Sequence, residues 1–470
     1  MVLRLDFSCR GSFGSFGVAA LVALTLAGCA SPQRTNDPSG AVRRTVTELA
    51  ALRPAAMNAA LTSSVGERAV FDEEVAKLRA VLVLPPGPEA DEKIPAALSA
   101  AVHFNVELDA VRVKLLALLP VSHEKPPAYQ RGLLSVAHSL FAKEAAPLLP
   151  ELLPKIRTPR EFAIGAYTLL QTNNSAAQRE WIAARMRENF ANWETEPRLR
   201  ALTRRLQFDP REDLATRPPL ADLLAAPINA GYPVVFSFQR RTREHSGLAL
   251  VRGADGRFVR NADGSYFNIA QLAMARTNLP GTITNGNTPQ GVFVIRGTGT
   301  ATNRWIGPTP YLESMLPVEA PIALFEKPEL RDFVVDAAAE GARKLEWTDA
   351  QYARLLPMSW RDYFPMKEAF LAGHAGRDEI LAHGNTVNPA YYRGERFFPY
   401  APSAGCLVAM EYWSKDDGTL VHSDQLALVK AFVSGGSDVG FLVVVEVDDQ
   451  QRAVVLADVI EAVVVAERGR

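Results

Sequence analysis

The chain has 470 residues, 51 basic against 52 acidic side chains, and 48% hydrophobic residues. This balance offers no basic stripe for nucleic acid, and the length exceeds what one domain usually holds.

Residues 1–17 carry Arg4 and Arg10 with a single Asp6, and residues 16–27 form an apolar run of 12 residues ending in small side chains. The run is too short for a membrane-spanning helix of about 20 residues and has the order of a signal peptide. Its exit, Leu26-Ala27-Gly28-Cys29, resembles the lipobox of bacterial lipoproteins. The resemblance implies cleavage after residue 28, lipidation of Cys29, a linker over residues 29–41 and a membrane-anchored protein facing the periplasm. Ala30-Ser31 lacks the aspartate tied to inner-membrane retention in some bacteria, so the outer membrane is expected.

Residues 42–212 are rich in Ala, Leu, Arg and Glu, and are expected to form an all-helical domain. Thr158-Pro159-Arg160-Glu161 reads as a capping box with proline at the first helical position. Phe162, Ala163, Ala166, Tyr167 and Leu170 follow on one stripe. Asn173-Asn174 breaks that helix, and Ser175 caps a second one carrying Trp181, Ile182 and Met186. His103, His123 and His138 show no ligand spacing, so a metal site is not expected there.

Residues 213–231, with Pro218, Pro219 and Pro227, read as a connection. The texture then turns to strands. "YPVVFSFQ", "SGLALVRGADGRFVRNADGSYFNI" and "GVFVIRG" are β-rich, with hairpin signals at Asp255-Gly256 and Asp263-Gly264. Near the end, "LALVKAFV" reads as a helix and "VGFLVVVEVDD" as a strand. The fold class is therefore α+β: an all-helical domain followed by a mainly β domain with helical insertions over residues 232–470. A fragment from residue 227 onward is expected to fold alone.

Cys9 and Cys29 fall in the leader, which leaves Cys406 as the one thiol of the mature chain. An unpaired thiol in an exported protein is either a small buried hydrophobe or is kept for reactivity. A nucleophilic cysteine needs a base to lower its pKa, donors for the oxyanion and a backbone that lets an acyl group approach. Gly405 supplies the last. His383 is the best base, ending the apolar segment Ile380-Leu381-Ala382 before Gly384. His422 lies in a polar turn that starts a helix, and His245 and His374 in loops.

His383-Gly384 followed by Ser403-Ala404-Gly405-Cys406 resembles the HG…S-x-G-C signature of L,D-transpeptidases of the YkuD type. Asn287-Thr288-Pro289-Gln290-Gly291-Val292-Phe293 resembles their upstream T-P-x-G-x-F segment. The resemblance covers roughly the second half of the chain. It implies a sandwich-like catalytic domain with Cys406 as nucleophile and His383 as base, oriented by a nearby oxygen. It also implies that Gly405 and the Cys406 amide form the oxyanion hole and that Ser403 shapes the turn. The implied donor is a peptidoglycan tetrapeptide stem, cleaved at its third residue with release of D-alanine, and no metal or other cofactor is required.

Three features depart from the pattern. The loop "NTVNPAYYRGERFFPYAP" between His383 and Cys406 is long, and Tyr391, Tyr392 and Arg393 are expected to reach the substrate from it. The position two after the thiol, often arginine, is Val408, so a substrate carboxylate must be held elsewhere or not at all. The span from Phe293 to His383 is long and carries the helical "LRDFVVDAAAEGARKLEW". Hydrolysis by the same acyl-enzyme (carboxypeptidase or endopeptidase) and a decayed envelope scaffold, its helical half binding another protein, are the alternatives. A papain-like protease is disfavoured because its cysteine precedes its histidine.

Overall fold

A computed structural model describes residues 43–331 and 340–468. The expected leader and Cys29 lie outside the described residues. No described helix is long and apolar enough to cross a membrane.

The helical part is built from Ser64–Leu82, Pro88–Phe104, Leu108–Leu118, Pro127–Leu140, Pro159–Thr172, Ala176–Asn189 and Pro197–Gln207. Local chemistry sets the ends. Ser63 and Ser175 accept hydrogen bonds from the amides of Gly66 and Gln178, satisfying first-turn donors. Asn105, at φ 55°, stops Pro88–Phe104 in the left-handed region that asparagine tolerates. Thr158 sits at the expected N-cap, but its side chain accepts no hydrogen bond and the capping box does not form. Glu161 turns inward instead, 2% exposed, and faces Arg131 at 3.7 Å. Leu98, Leu133, Leu134, Phe162, Ala166, Ile182 and Leu202 fill the core between these helices.

Eight strands close into a barrel: β1 (Val234–Arg240), β2 (Gly247–Arg252), β3 (Ile269–Leu272), β4 (Gly291–Gly299), β5 (Tyr311–Met315), β6 (Leu381–His383), β7 (Leu407–Ala409) and β10 (Gly440–Asp448). A separate two-stranded sheet pairs β8 (Glu411–Trp413) with β9 (Leu420–Ser423). The order around the barrel is β1-β10-β4-β5-β6-β7-β3-β2, with β1–β10 and β6–β7 parallel and the other pairs antiparallel. Where the resemblance implies a sandwich, the parallel pairing of β1 with the last strand, Val234 opposite Phe441, closes the sheet on itself.

The strands read as unbroken apolar runs because both faces are covered. Val235, Phe293, Leu312, Ala382, Leu407, Leu442 and Val444 pack with Leu428, Val429 and Phe432 of helix Asp424–Val433. On the other face, Phe236, Phe238, Val292, Phe441 and Val443 pack beneath Leu223, Phe325, Trp347, Tyr352 and Val463. The two Asp-Gly pairs do form turns: Gly256 and Gly264, at φ 84° and 85°, donate to the carbonyls of Gly253 and Asn261.

The two regions share their cores, so the boundary expected at residues 213–231 is not a boundary of packing. Leu49 lies inside the barrel core, and Met57 packs on Leu420 and Leu426. The chain near residue 59 also bonds to the β8–β9 turn, the Ala59 amide donating to the Gly418 carbonyl. In the other direction, Leu279 and Ile283, from the segment between β3 and β4, sit in the helical core. The supposed connection contains helices Pro210–Ala215 and Leu220–Ala225, the latter packed on Ile460–Arg468.

These shared cores make the fragment from residue 227 onward incomplete, contrary to the reading from sequence. Expressed alone, it is expected to be insoluble or partly unfolded, as judged by circular dichroism and size exclusion. In the whole chain, Leu49→Ala should cost about 2–5 kcal/mol, the range for a buried leucine truncation, measured by denaturant unfolding. A loss below about 1 kcal/mol would show that the barrel does not need this residue.

Candidate functional site

The parallel pairing of β6 with β7 brings the two halves of the signature together. Ala382 lies opposite Leu407, and His383 opposite Val408. Ala382 and Leu407 point into the barrel core, so by the two-residue period of strands Leu381, His383, Cys406 and Val408 share the opposite face.

The turn entering β7 is held on every side. Ser403 Oγ accepts from the Gly405 amide at 2.9 Å and donates to the Cys406 carbonyl at 2.8 Å. Thr288 Oγ1 donates to the Gly405 carbonyl at 2.9 Å, which gives the upstream segment its place in the site. Gly405 has φ 124°, and a Cβ there would lie 2.0 Å from an Arg377 nitrogen and 2.3 Å from the Gly286 carbonyl oxygen. The glycine therefore makes room for the Arg377 guanidinium, which donates to the carbonyls of Gly286 and Asn287 at 2.6 and 2.7 Å. Because the Gly405 amide is committed to Ser403, it does not serve as the expected oxyanion donor.

His383 is 2% exposed. Its Nδ1 hydrogen-bonds the Gly384 carbonyl. A carbonyl only accepts, so Nδ1 carries a proton, and in the neutral ring Nε2 is the bare acceptor. That Nε2 is buried without a hydrogen-bond partner. Gly384 is needed for space as well, since a Cβ there would lie 2.1 Å from the Glu411 carboxyl carbon.

Cys406 is also 2% exposed, and it makes no hydrogen bond to His383 Nε2. Its Sγ receives the Leu381 amide at 3.4 Å and donates to the Glu379 carbonyl at 3.6 Å, among Ile306, Tyr311 and Leu381. Ile306 packs on the thiol and also lines a small cleft whose walls include Arg276, Trp305, His383, Asn385 and Ser403. The cleft thus has His383 in its wall, and Cys406 is not among the residues that line it.

Glu411 had no signal in the sequence beyond being an acidic residue in a strand-like stretch. It starts β8 and accepts from Ser423 Oγ at 2.7 Å. Burial raises its carboxyl pKa to about 7, against the opposing pull of the Ser423 hydrogen bond and the His383 charge.

Tyr391, Tyr392 and Arg393 do not line the cleft. Tyr391 packs on Phe71 and Phe104 of the helical part, Tyr392 donates from its hydroxyl to the His103 carbonyl at 2.9 Å, and Arg393 is exposed. The tyrosines anchor the long loop to the helices. Two of the other histidines lie elsewhere: His422 is on β9, exposed, 2.9 Å from Asp424, and His374 ends helix Glu368–His374 rather than lying in a loop. Among the described residues, no cluster of His, Cys, Asp or Glu is arranged to hold a metal. Comparison with family models, curated proteins and solved structures gives no match.

Two outcomes follow from this geometry. Ile306→Ala should speed alkylation of Cys406 by a small neutral reagent such as iodoacetamide by roughly tenfold or more, while costing about 2–4 kcal/mol of stability. An unchanged alkylation rate would mean that Ile306 does not cover the thiol. Folding raises the Glu411 pKa from its ordinary 4.5 to about 7, so the native state binds the extra proton between those values. Its stability is undiminished below about pH 4.5 and falls as pH rises to 7, by at most about 3 kcal/mol. Glu411→Gln removes this cost, so its melting temperature relative to the parent should rise between pH 5 and pH 8. A difference independent of pH would contradict a buried, titrating Glu411.

Proposed function

We propose that this chain is a cysteine acyltransferase of the L,D-transpeptidase kind, acting on peptidoglycan tetrapeptide stems. The observation that carries the reading is His383. Its Nδ1 proton is fixed by the Gly384 carbonyl, so its Nε2 lone pair is left unbonded on the same sheet face as Cys406.

Catalysis requires Cys406 to rotate from the Glu379 carbonyl toward Nε2, with the Ile306 segment yielding. The imidazole then takes the thiol proton, and the thiolate attacks the carbonyl of the stem's third, L-configured residue. Collapse of the tetrahedral adduct breaks the amide bond. The departing D-alanine nitrogen takes the proton back from the imidazolium, leaving a thioester. An amine acceptor gives a 3-3 cross-link or an attached protein, and water gives a tripeptide. The reading needs no cofactor. Lipidation at Cys29 would hold the protein at a membrane on the periplasmic side, where the sacculus lies, with the helical part free to bind a second envelope protein.

The buried thiol bonded to Glu379 favours one rival, a catalytically silent envelope scaffold. A carbapenem separates the two. Intact-mass spectrometry should show one covalent adduct on the wild type and none on Cys406→Ala, and His383→Ala should slow acylation by about 10²–10⁴-fold, the usual worth of a general base. A wild type that forms no adduct, together with wall peptides unchanged by its deletion, would favour the scaffold. The anchor is tested separately: Cys29→Ala should abolish lipid labelling and release the protein from the membrane fraction.

A further inference from the structure

The strand that carries the thiol contributes no cation to the cleft, because position 408 is valine. A cation arrives from elsewhere. Arg276 follows β3, and its amide donates to the Ser403 carbonyl at 2.9 Å, which ties its backbone to the thiol's own turn. Its side chain lines the cleft together with Asn303, Trp305, His383 and Asn385. Among the described residues, no carboxylate lies within ion-pair distance of it. The guanidinium is held instead by the Nδ1 of His103. Since arginine only donates, this His103 nitrogen accepts and the imidazole is neutral. Burial, then the charges of Arg276 and Arg304, keep the His103 pKa well below its ordinary value. His103 is in turn fixed by Trp305, with ring centroids 4.5 Å apart, and by the Tyr392 hydroxyl on its carbonyl. A neutral partner orients the guanidinium without cancelling its charge. His383, whose Nε2 is buried and unbonded, lines the same cleft.

We infer that Arg276, oriented by His103 of the helical part, binds the terminal carboxylate of the peptide whose D-residue is released; this rests on the acyl-transfer reading above. The departing nitrogen must come to His383 Nε2 to be protonated, and the carboxyl carbon is only two bonds from that nitrogen. A cation in the same small cleft therefore meets the carboxylate when the nitrogen meets the imidazole. Guanidinium and carboxylate pair through two parallel hydrogen bonds, which fixes direction as well as affinity. The site would then act on chain ends and not on internal bonds, and the helical part would help build the substrate site.

Binding and turnover test this separately. With the full chain carrying Cys406→Ala, calorimetry compares a stem tetrapeptide ending in D-alanine with the same peptide ending in D-alanine amide. The acid should bind roughly 10–100-fold more tightly, Arg276→Gln should erase the preference, and Arg276→Lys should keep part of it. Equal binding of acid and amide with Arg276 present overturns the inference, as does a preference that survives Arg276→Gln. In the Cys406 protein, Arg276→Gln should raise KM for the acid with a smaller change in kcat. If the acid is preferred in binding but no D-alanine is released, the acyl-transfer reading fails while the carboxylate site stands. Matching unfolding curves of the Arg276 variants show that the fold is intact.

Discussion

The parallel pairing of β6 with β7 is the constraint on which the rest of the molecule turns. Two parallel strands cannot be joined by a tight turn; they need a crossover of a dozen or more residues. Here that crossover runs from Gly384 to Cys406 and contains only a single short turn of 3₁₀ helix, Pro389–Tyr392. Such a segment packs Tyr392 and Phe397 on each other and on Leu272 and Met274, and leaves Tyr391 to be covered from outside. Helices Ser64–Leu82 and Pro88–Phe104 do so, stacking Phe71 on Tyr391, setting Phe104 edge to face against it and offering the His103 carbonyl to Tyr392. The helical part thus packs on the segment that links His383 to Cys406.

The same constraint places small residues next to both His383 and Cys406. A histidine at a strand end and a cysteine after a tight turn must each be approached from behind by polar groups that fix them. Gly384 admits the Glu411 carboxylate, and Gly405 admits Arg377 and the Gly286 carbonyl. An alanine at either place would have to displace a buried polar group, the Glu411 carboxyl or the Arg377 guanidinium.

Local chemistry was legible in the sequence and distant pairing was not. The stop at Asn173, the Ser175 cap, the two Asp-Gly turns and the strand ending at His383 each depend on neighbours a few residues away, and they stand where the residues place them. The Thr158 capping box failed because Glu161 found Arg131 across the helical core, a partner that spacing cannot reveal. Barrel closure depends on β1 meeting β10 from the far end of the domain, and two apolar runs look the same whether they face each other or not. The motif named His383 and Cys406 as a pair, yet rotamers and neighbouring side chains such as Ile306 are settled by tertiary packing. Glu411 and Arg276 carry no local pattern at all, and only the fold gives them a place beside His383.

The seat of Leu49 within the barrel has a consequence for how the chain is made. Its helix Val46–Ala51 packs on Asp424–Val433, and its core cluster includes Leu442 and Val444 of the last barrel strand, so its pocket is incomplete until almost the whole sequence exists. At synthesis rates of about 5–20 residues per second, the stretch around Leu49 waits roughly 20–80 s for those partners. During that interval its apolar face, and that of β1, need shelter from aggregation by a chaperone or by delayed release of the nascent chain.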